Sequence, residues 1–241
     1  MAYEELKQMI QDSSRIVFFG GAGVSTESGI PDFRGVDGLY RMKYDVPPET
    51  MLSHTYFERY PEKFFRFYRD KMLVTDVQPN AAHRALARLE REGKLIAVVT
   101  QNIDGLHQAA GSEKVFELHG SIHRNYCLSC GKRYTASDIQ AIGSVVPRCA
   151  CGGIIRPDVV LYEEGLDQPT LEGAVRAIRS ADLMIVAGTS LTVYPAAGLV
   201  TYFHGKHLVL INRDATPMDD SCDLVIRDPV GKVLRETVGE G

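Results

Sequence analysis

Four cysteines fall in two close pairs, Cys127-x2-Cys130 and Cys149-x-Cys151, separated by residues 131–148. Such spacing suits tetrahedral zinc, with each pair forming a knuckle and the ion joining two chain segments. Four thiolates leave no open position for water, so the metal is expected to serve the fold. Two disulfides are the alternative, but a chain that opens without an export signal is expected in a reducing compartment, where thiols persist. Cys222 stands apart and reads as a small buried hydrophobe. A second group begins at Gly20-Gly21-Ala22-Gly23, after the apolar run 15–19, and continues to Asp32-Phe33-Arg34. Glycines at 20, 21 and 23 are expected to let backbone N–H groups approach an anion, with a diphosphate as the natural guest. Glycine turns also serve tight strand-to-helix packing. The spacing departs from the usual dinucleotide fingerprint, because after Gly21 and Gly23 the third position is Thr26; a standard dehydrogenase is disfavoured. Asn102 and Asp104 follow a strand end, where short polar side chains cap helices or bind ribose and amide groups. His119 ends another apolar run and can accept a proton near neutrality. The residues alone do not rank it above His83, His107 or His123.

The elements that must position these groups alternate along the chain. Buried-strand patterns at 15–19, 95–100, 115–118, 182–187, 207–211 and 223–226 are interleaved with helical periodicity at 1–11, 81–92, 171–180 and 230–238. This predicts an α/β fold with a doubly wound, Rossmann-like parallel sheet whose strand ends converge on one crevice. The sheet domain is expected to comprise 1–34, 79–120 and 156–241. Two insertions interrupt it: a cofactor loop and helical module at 35–78, with one helix over 57–72, and a zinc-binding module at 121–155. The 241 residues are 44% hydrophobic, enough for a substantial core, and the formal charge of −4 provides no global field toward nucleic acid or membrane surfaces. No direct nucleic-acid or membrane binding is expected. No apolar stretch approaches the roughly 18 residues needed to span a bilayer.

The string GAGVSTESGIPDFRG, with Thr100-Gln101-Asn102-Ile103-Asp104, Leu118-His119-Gly120 and Gly188-Thr189-Ser190-Leu191, closely resembles the sirtuin family of NAD-dependent protein deacylases, in a compact bacterial-type form. The likeness runs from about 14 to 238. It implies NAD as co-substrate, one structural Zn2+, acyl-lysine proteins or peptides as partners, nicotinamide as product and inhibitor, and a cytoplasmic setting. It makes His119 the general base acting on a ribose hydroxyl, and it assigns catalytic roles to Asn102 and Asp104 as well. Ile103 and Asp104 would form the nicotinamide pocket with Phe33, Gln101 would meet the ribose, and Asn102 would position it. Ala22, Thr26 and Arg34 resemble further cofactor contacts; Thr189, Ser190, Asn212, Arg213 and Val230 match the phosphate and adenosine end. Val160 and Tyr162 would touch the lysine stem in a segment that pairs with substrate as a strand. Two departures stand out. The second cysteine pair is one residue shorter than the family's C-x2-C, and Tyr162-Glu163-Glu164 replaces Phe-Gly-Glu, so Glu163 is expected to alter the loop. Sirtuins that remove acidic acyl groups carry Tyr-x-x-Arg where this chain has Tyr68-Arg69-Asp70-Lys71; a solvated helix face is the favoured reading of this pair. Protein mono-ADP-ribosylation and non-catalytic NAD sensing are the alternative functions.

Overall fold

Helix α1 (Ala2–Asp12) buries Leu6, Met9 and Ile10 on one stripe and delivers the chain into strand β1 (Ile16–Gly20), which is buried at every position. The structure, a computed structural model, describes residues 1–32, 38 and 45–239. Three short helices follow, α2 (Pro48–Met51), α3 (His54–Arg59) and α4 (Pro61–Phe67), then a π-helical turn over Tyr68–Met72. The single helix expected over 57–72 is therefore broken at Tyr60-Pro61. Proline lacks the amide donor and pushes its predecessor out of helical geometry, and Tyr60 sits at φ −134°, ψ 56°. Helix α5 (Ala81–Arg91) feeds β2 (Leu95–Thr100), then come α6 (Leu106–Ala109) and β3 (Val115–Glu117). Strands β4 (Gly120–Cys127) and β5 (Arg133–Tyr134), helix α7 (Ala136–Ala141) and strand β6 (Ile155–Val159) occupy the cysteine-bearing region. The chain closes with α8 (Gln168–Ser180), β7 (Leu183–Ala187), β8 (His207–Ile211), β9 (Leu224–Ile226) and α9 (Val230–Val238).

Six strands form one parallel sheet in the order β3-β2-β1-β7-β8-β9. Alternation splits each strand between the faces: Ile16 and Phe18 of β1 pack with Leu86, Leu89 and Val233, while Val17 and Phe19 pack with Ala174 and Ile178 of α8. A smaller antiparallel sheet runs β5-β4-β6. Its underside and the short helices share one apolar cluster that joins Phe57, Phe64, Phe65 and Tyr68 to Ile122, Ile139, Cys149 and Ile155. The helical and cysteine-bearing segments, expected as separate modules, are thus packed as one body of side chains.

The large sheet reverses direction between β1 and β7, because the chain winds outward through β2 and β3 and returns on the other side of β1. In open α/β sheets this reversal opens a crevice at the carboxyl ends of the two strands. Here the two emerging turns touch: a Cβ on Gly23 would lie 2.7 Å from Gly188 Cα, and one on Gly188 would lie 2.5 Å from Val24 N. The Gly21 and Gly23 amides donate to Ala187 and Gly188 carbonyls at 3.2 and 2.8 Å. Glycine is thus required at 21 and 23 by the packing of turn on turn, and those two amides are spent inside the protein. Gly188 also has φ 59°, a left-handed conformation. Gly188→Ala is expected to destabilise the protein by about 3 kcal/mol through strain plus overlap, read as a drop of roughly 6–12 °C in melting temperature.

Candidate active site

A cavity of about 350 Å³ lies at this reversal, a size suited to enclosing an organic ligand. Ala22 and Thr26 line it from the turn after β1; Gln101, Asn102, Ile103 and Asp104 line it from the loop after β2; His119 enters from the link between β3 and β4. Thr189 and Ser190 contribute from the turn after β7, Asn212 and Arg213 from the end of β8, and Val230 from the first turn of α9. Val160 and Tyr162 close the side formed by the loop after β6. Phe33 and Arg34 lie outside the described residues.

Gln101 ties these strand ends together. Its amide N–H donates to the Gly20 carbonyl at 2.9 Å, its side-chain amide donates to Thr189 Oγ1 at 3.0 Å, and its carbonyl lies 2.8 Å from His119 Nδ1. A carbonyl only accepts, so Nδ1 carries the proton in the neutral ring and the lone pair is on Nε2. Burial lowers the His119 pKa, against the opposing pull of the Gln101 carbonyl, so the ring is a neutral base at physiological pH. His119 is half-buried.

Beside it, Ser25 Oγ donates to Asp104 Oδ2 at 2.7 Å and accepts from Asn102 Nδ2 at 3.1 Å. Asp104 Oδ1 accepts the Leu106 amide at 2.9 Å, an Asx-type contact that occupies the first amide of α6 from just before its N-cap, Gly105. Sequence reasoning missed Ser25; the available signal was its place inside the glycine turn. It also missed Asn80, whose side-chain amide donates to the Val24 carbonyl at 2.8 Å while its oxygen caps α5 through the Ala82 amide at 2.9 Å. Glu27 is another such tie, accepting the Gly231 amide of α9 at 2.6 Å and linking the turn after β1 to the helix that carries Val230.

Two buried imidazoles lie close to this group, with the His83 and His107 rings 4.8 Å apart. His83 Nδ1 accepts the Asn80 amide, while His83 Nε2 and both His107 nitrogens have no hydrogen-bond partner among the described residues. Burial brings His83 down to about 4, against the charge of Asp104, and pushes His107 well below its ordinary value, with His83 adding to the effect.

The four predicted zinc ligands converge. Their sulfurs lie within 4.8 Å of one another, with Cys127 and Cys151 3.5 Å apart and Cys130 and Cys149 3.6 Å apart. A tetrahedron with 2.3 Å metal–sulfur bonds has edges of about 3.8 Å, so the thiol set fits one zinc ion, including the shortened pair. Gly153 allows that fit, since a Cβ there would lie 2.6 Å from Cys127 Sγ. Cys222 remains apart, donating to the Met218 carbonyl, with its thiol pushed up to about 11 by burial.

Tyr68 contradicts the solvated-face reading. It is 1% exposed and stacks on Phe64, whereas Lys71 lines the cavity. The π-helical turn explains the separation, because i→i+5 bonding widens the turn and residues three apart no longer superpose. Glu163 sits at φ 75°, in the left-handed region that favours glycine.

A family model described as the Sir2 family matches residues 21–195. An NAD-dependent protein deacetylase of Clostridium acetobutylicum is 60% identical over 237 residues, covering 97% of this chain and 96% of its own. One from Staphylococcus aureus is 48% identical over 98% of both chains. A solved Sir2 with a deacetylated p53 peptide and 3'-O-acetyl ADP-ribose superposes with a TM-score of 0.91 at 41% identity over all of both chains. A Sir2 bound to a propionylated peptide gives 0.87 at 40% identity, covering 98% of this chain and 96% of that one.

Because the cysteine site and the short helices share a core, zinc removal by a chelator is expected to raise hydrogen exchange in 54–72 as well as 121–155; acceleration confined to 121–155 would count against that coupling. The buried histidines give a pH signature with a definite sign. Unfolded histidines take up protons near 6.5 while His83 does so near 4, so this contribution to stability is whole above pH 6.5 and lost as pH falls toward 4. The urea midpoint should fall across that window, and His107→Leu should flatten the fall.

Proposed function

The chain belongs to the Sir2 family, and from that premise we propose that it is an NAD-dependent protein-lysine deacylase, releasing nicotinamide, O-acyl-ADP-ribose and the free lysine. Relatives named NAD-dependent protein deacetylase match over nearly its whole length. Bound NAD supplies an electrophilic ribose carbon and nicotinamide as leaving group. The amide and hydroxyl side chains of Gln101, Asn102, Thr189, Ser190 and Asn212 around the cavity fit a ligand rich in ribose hydroxyls and phosphate oxygens.

The observation that carries the mechanism is the His119–Gln101 hydrogen bond, which fixes the tautomer and leaves Nε2 to accept a proton. In this reading His119 takes that proton from a ribose hydroxyl, enabling transfer of the acyl group. Asp104 keeps a second lone pair on each oxygen for the nicotinamide carboxamide, and Ser25 holds it in place. Ile103 excludes water from this pocket. Arg213 and Val230 flank the adenosine. The acyl-lysine enters past Val160 and Tyr162 and its peptide pairs beside β6, which is an edge strand of the small sheet. Zinc braces the fold and takes no part in the reaction. Nicotinamide, the first product, competes for its own pocket and inhibits. The compartment is the cytoplasm, where the cluster of thiols stays reduced. Among the described residues no helix is long and apolar enough to cross a membrane.

The test is the NAD-dependent mass shift of matched acetyl-, longer-acyl- and succinyl-lysine peptides. Loss of the acyl group with stoichiometric nicotinamide release, reduced at least about 100-fold in His119→Ala, is the expected result. NAD consumption with mass added to the protein substrate would favour ADP-ribosyl transfer, and binding without turnover would favour sensing. Since burial lowers the His119 pKa and the neutral ring is the active form, the acid limb of kcat/KM should lie below pH 6.5 and activity should fall only as pH drops through it.

A further inference from the structure

The loop at 160–166 is tied at its near end to the catalytic histidine, because the Val160 amide donates to the His119 carbonyl at 3.0 Å. Its far end is tied to the short helices. The Tyr162 amide donates to the Leu52 carbonyl, and the His54 amide donates to the Tyr162 carbonyl, both at 3.0 Å. The next two residues are both glutamates, and their carboxylates reach in opposite directions. Glu164 receives both terminal nitrogens of Arg156 at 2.8 and 2.9 Å, the Leu161 amide at 2.9 Å and His54 Nδ1 at 2.8 Å. Burial would raise its pKa, yet these donors hold it down to about 2. Glu164 therefore fixes the loop to β6.

Glu163 reaches the other way, where Oε2 accepts the amide of Thr55 at 2.8 Å. Thr55 is the second residue of α3, and its amide is one of the donors that no carbonyl within the helix can satisfy. Ser53 already caps the same terminus through the Tyr56 amide at 3.2 Å, so α3 takes one side-chain acceptor from its own segment and two acceptors from the cavity loop, the Tyr162 carbonyl and the Glu163 carboxylate. The Thr55 bond holds the Glu163 carboxyl below the usual carboxylate range, with weaker help from His54 and Arg59; the side chain is an anion at physiological pH. Its backbone meanwhile occupies φ 75°, where an L residue is strained. A residue kept in a disfavoured conformation, with its side chain spent on a neighbouring element, acts as a tether.

We infer that Glu163 is a positioning residue for the acyl-lysine peptide, clamping the cavity loop to the N-terminus of α3. Tyr162, immediately before it, lines the cavity from the loop after β6, whereas Thr189 and Asn212 line it from the ends of β7 and β8 in the large sheet. Loss of the tether therefore loosens the peptide side and leaves the strand ends on the NAD side in place. The inference rests on the deacylase reading, because it assigns the loop to the peptide.

The experiment compares Glu163→Ala, Glu163→Gln and Glu163→Gly with the wild type in steady-state kinetics on an acetyl-lysine peptide, alongside hydrogen exchange of the ligand-free proteins. In Glu163→Ala the peptide KM should rise about fivefold, the worth of one helix-terminus contact, while kcat and the NAD KM stay within about twofold. Glu163→Gln keeps an acceptor oxygen and should recover most of that loss. Glu163→Gly relieves the strained backbone and still loses the tether, so its peptide KM should rise as in Glu163→Ala. Exchange at the Thr55 amide and across 160–166 should quicken in the Ala and Gly variants and stay near wild type in Gln. An unchanged peptide KM in Glu163→Ala, an NAD KM that rises with it, or unchanged exchange would overturn the inference. A wild type that fails to deacylate any peptide would sink the deacylase reading instead, while the exchange pattern would still decide whether the tether exists.

Discussion

The contact between Gly23 and Gly188 is the constraint on which the rest depends. Two parallel strands diverge from it, one connection winding through β2 and β3 and the other through β8 and β9, and the backbones must touch for the sheet to stay continuous while the loops part. No side chain fits between them. That single close approach puts the turn after β1 beside the turn after β7, and the crevice that opens beyond it receives side chains that follow β1, β2, β3, β7 and β8 of the large sheet and β6 of the small one.

Around this contact the polar groups are spent economically. Gln101 serves three neighbours with three different atoms, and its carbonyl selects the tautomer of His119. Ser25 occupies the space between Asn102 and Asp104, so the loop after β2 is held from the loop after β1. Polar groups that hold one another in place in this way reduce the reorganisation that binding demands. Burying His83 and His107 behind it, with three nitrogens lacking partners among the described residues, carries a cost that the neutral rings keep tolerable only above the pH at which they would charge.

The metal site and the substrate side of the cavity are connected mechanically. Phe57, Phe64 and Tyr68 pack in the same cluster as Ile139, Cys149 and Ile155, so knuckles formed around zinc brace the short helices, and α3 in turn meets the cavity loop at Tyr162 and Glu163. A zinc ion held by the four cysteines would thus brace the cavity loop through packing.

The sequence by itself determined the layer architecture, because strands buried on both faces need continuous apolar runs and the intervening helices need a single stripe; 95–100 and 207–211 are read to the residue for that reason. It also determined the metal centre, since thiolate pairs at knuckle spacing leave few other uses, and, through its resemblance to sirtuins, it nominated most of the side chains that meet at the cavity. Tertiary structure alone decided which partner each group has. That Gly21 and Gly23 face a neighbouring turn, that Tyr68 turns into the core while Lys71 faces the cavity, and that Glu163 keeps a glycine's conformation by holding Thr55, all depend on segments distant in the chain. Local periodicity records how a residue is buried, whereas the identity of what buries it is set only when the sheet closes the distance between them.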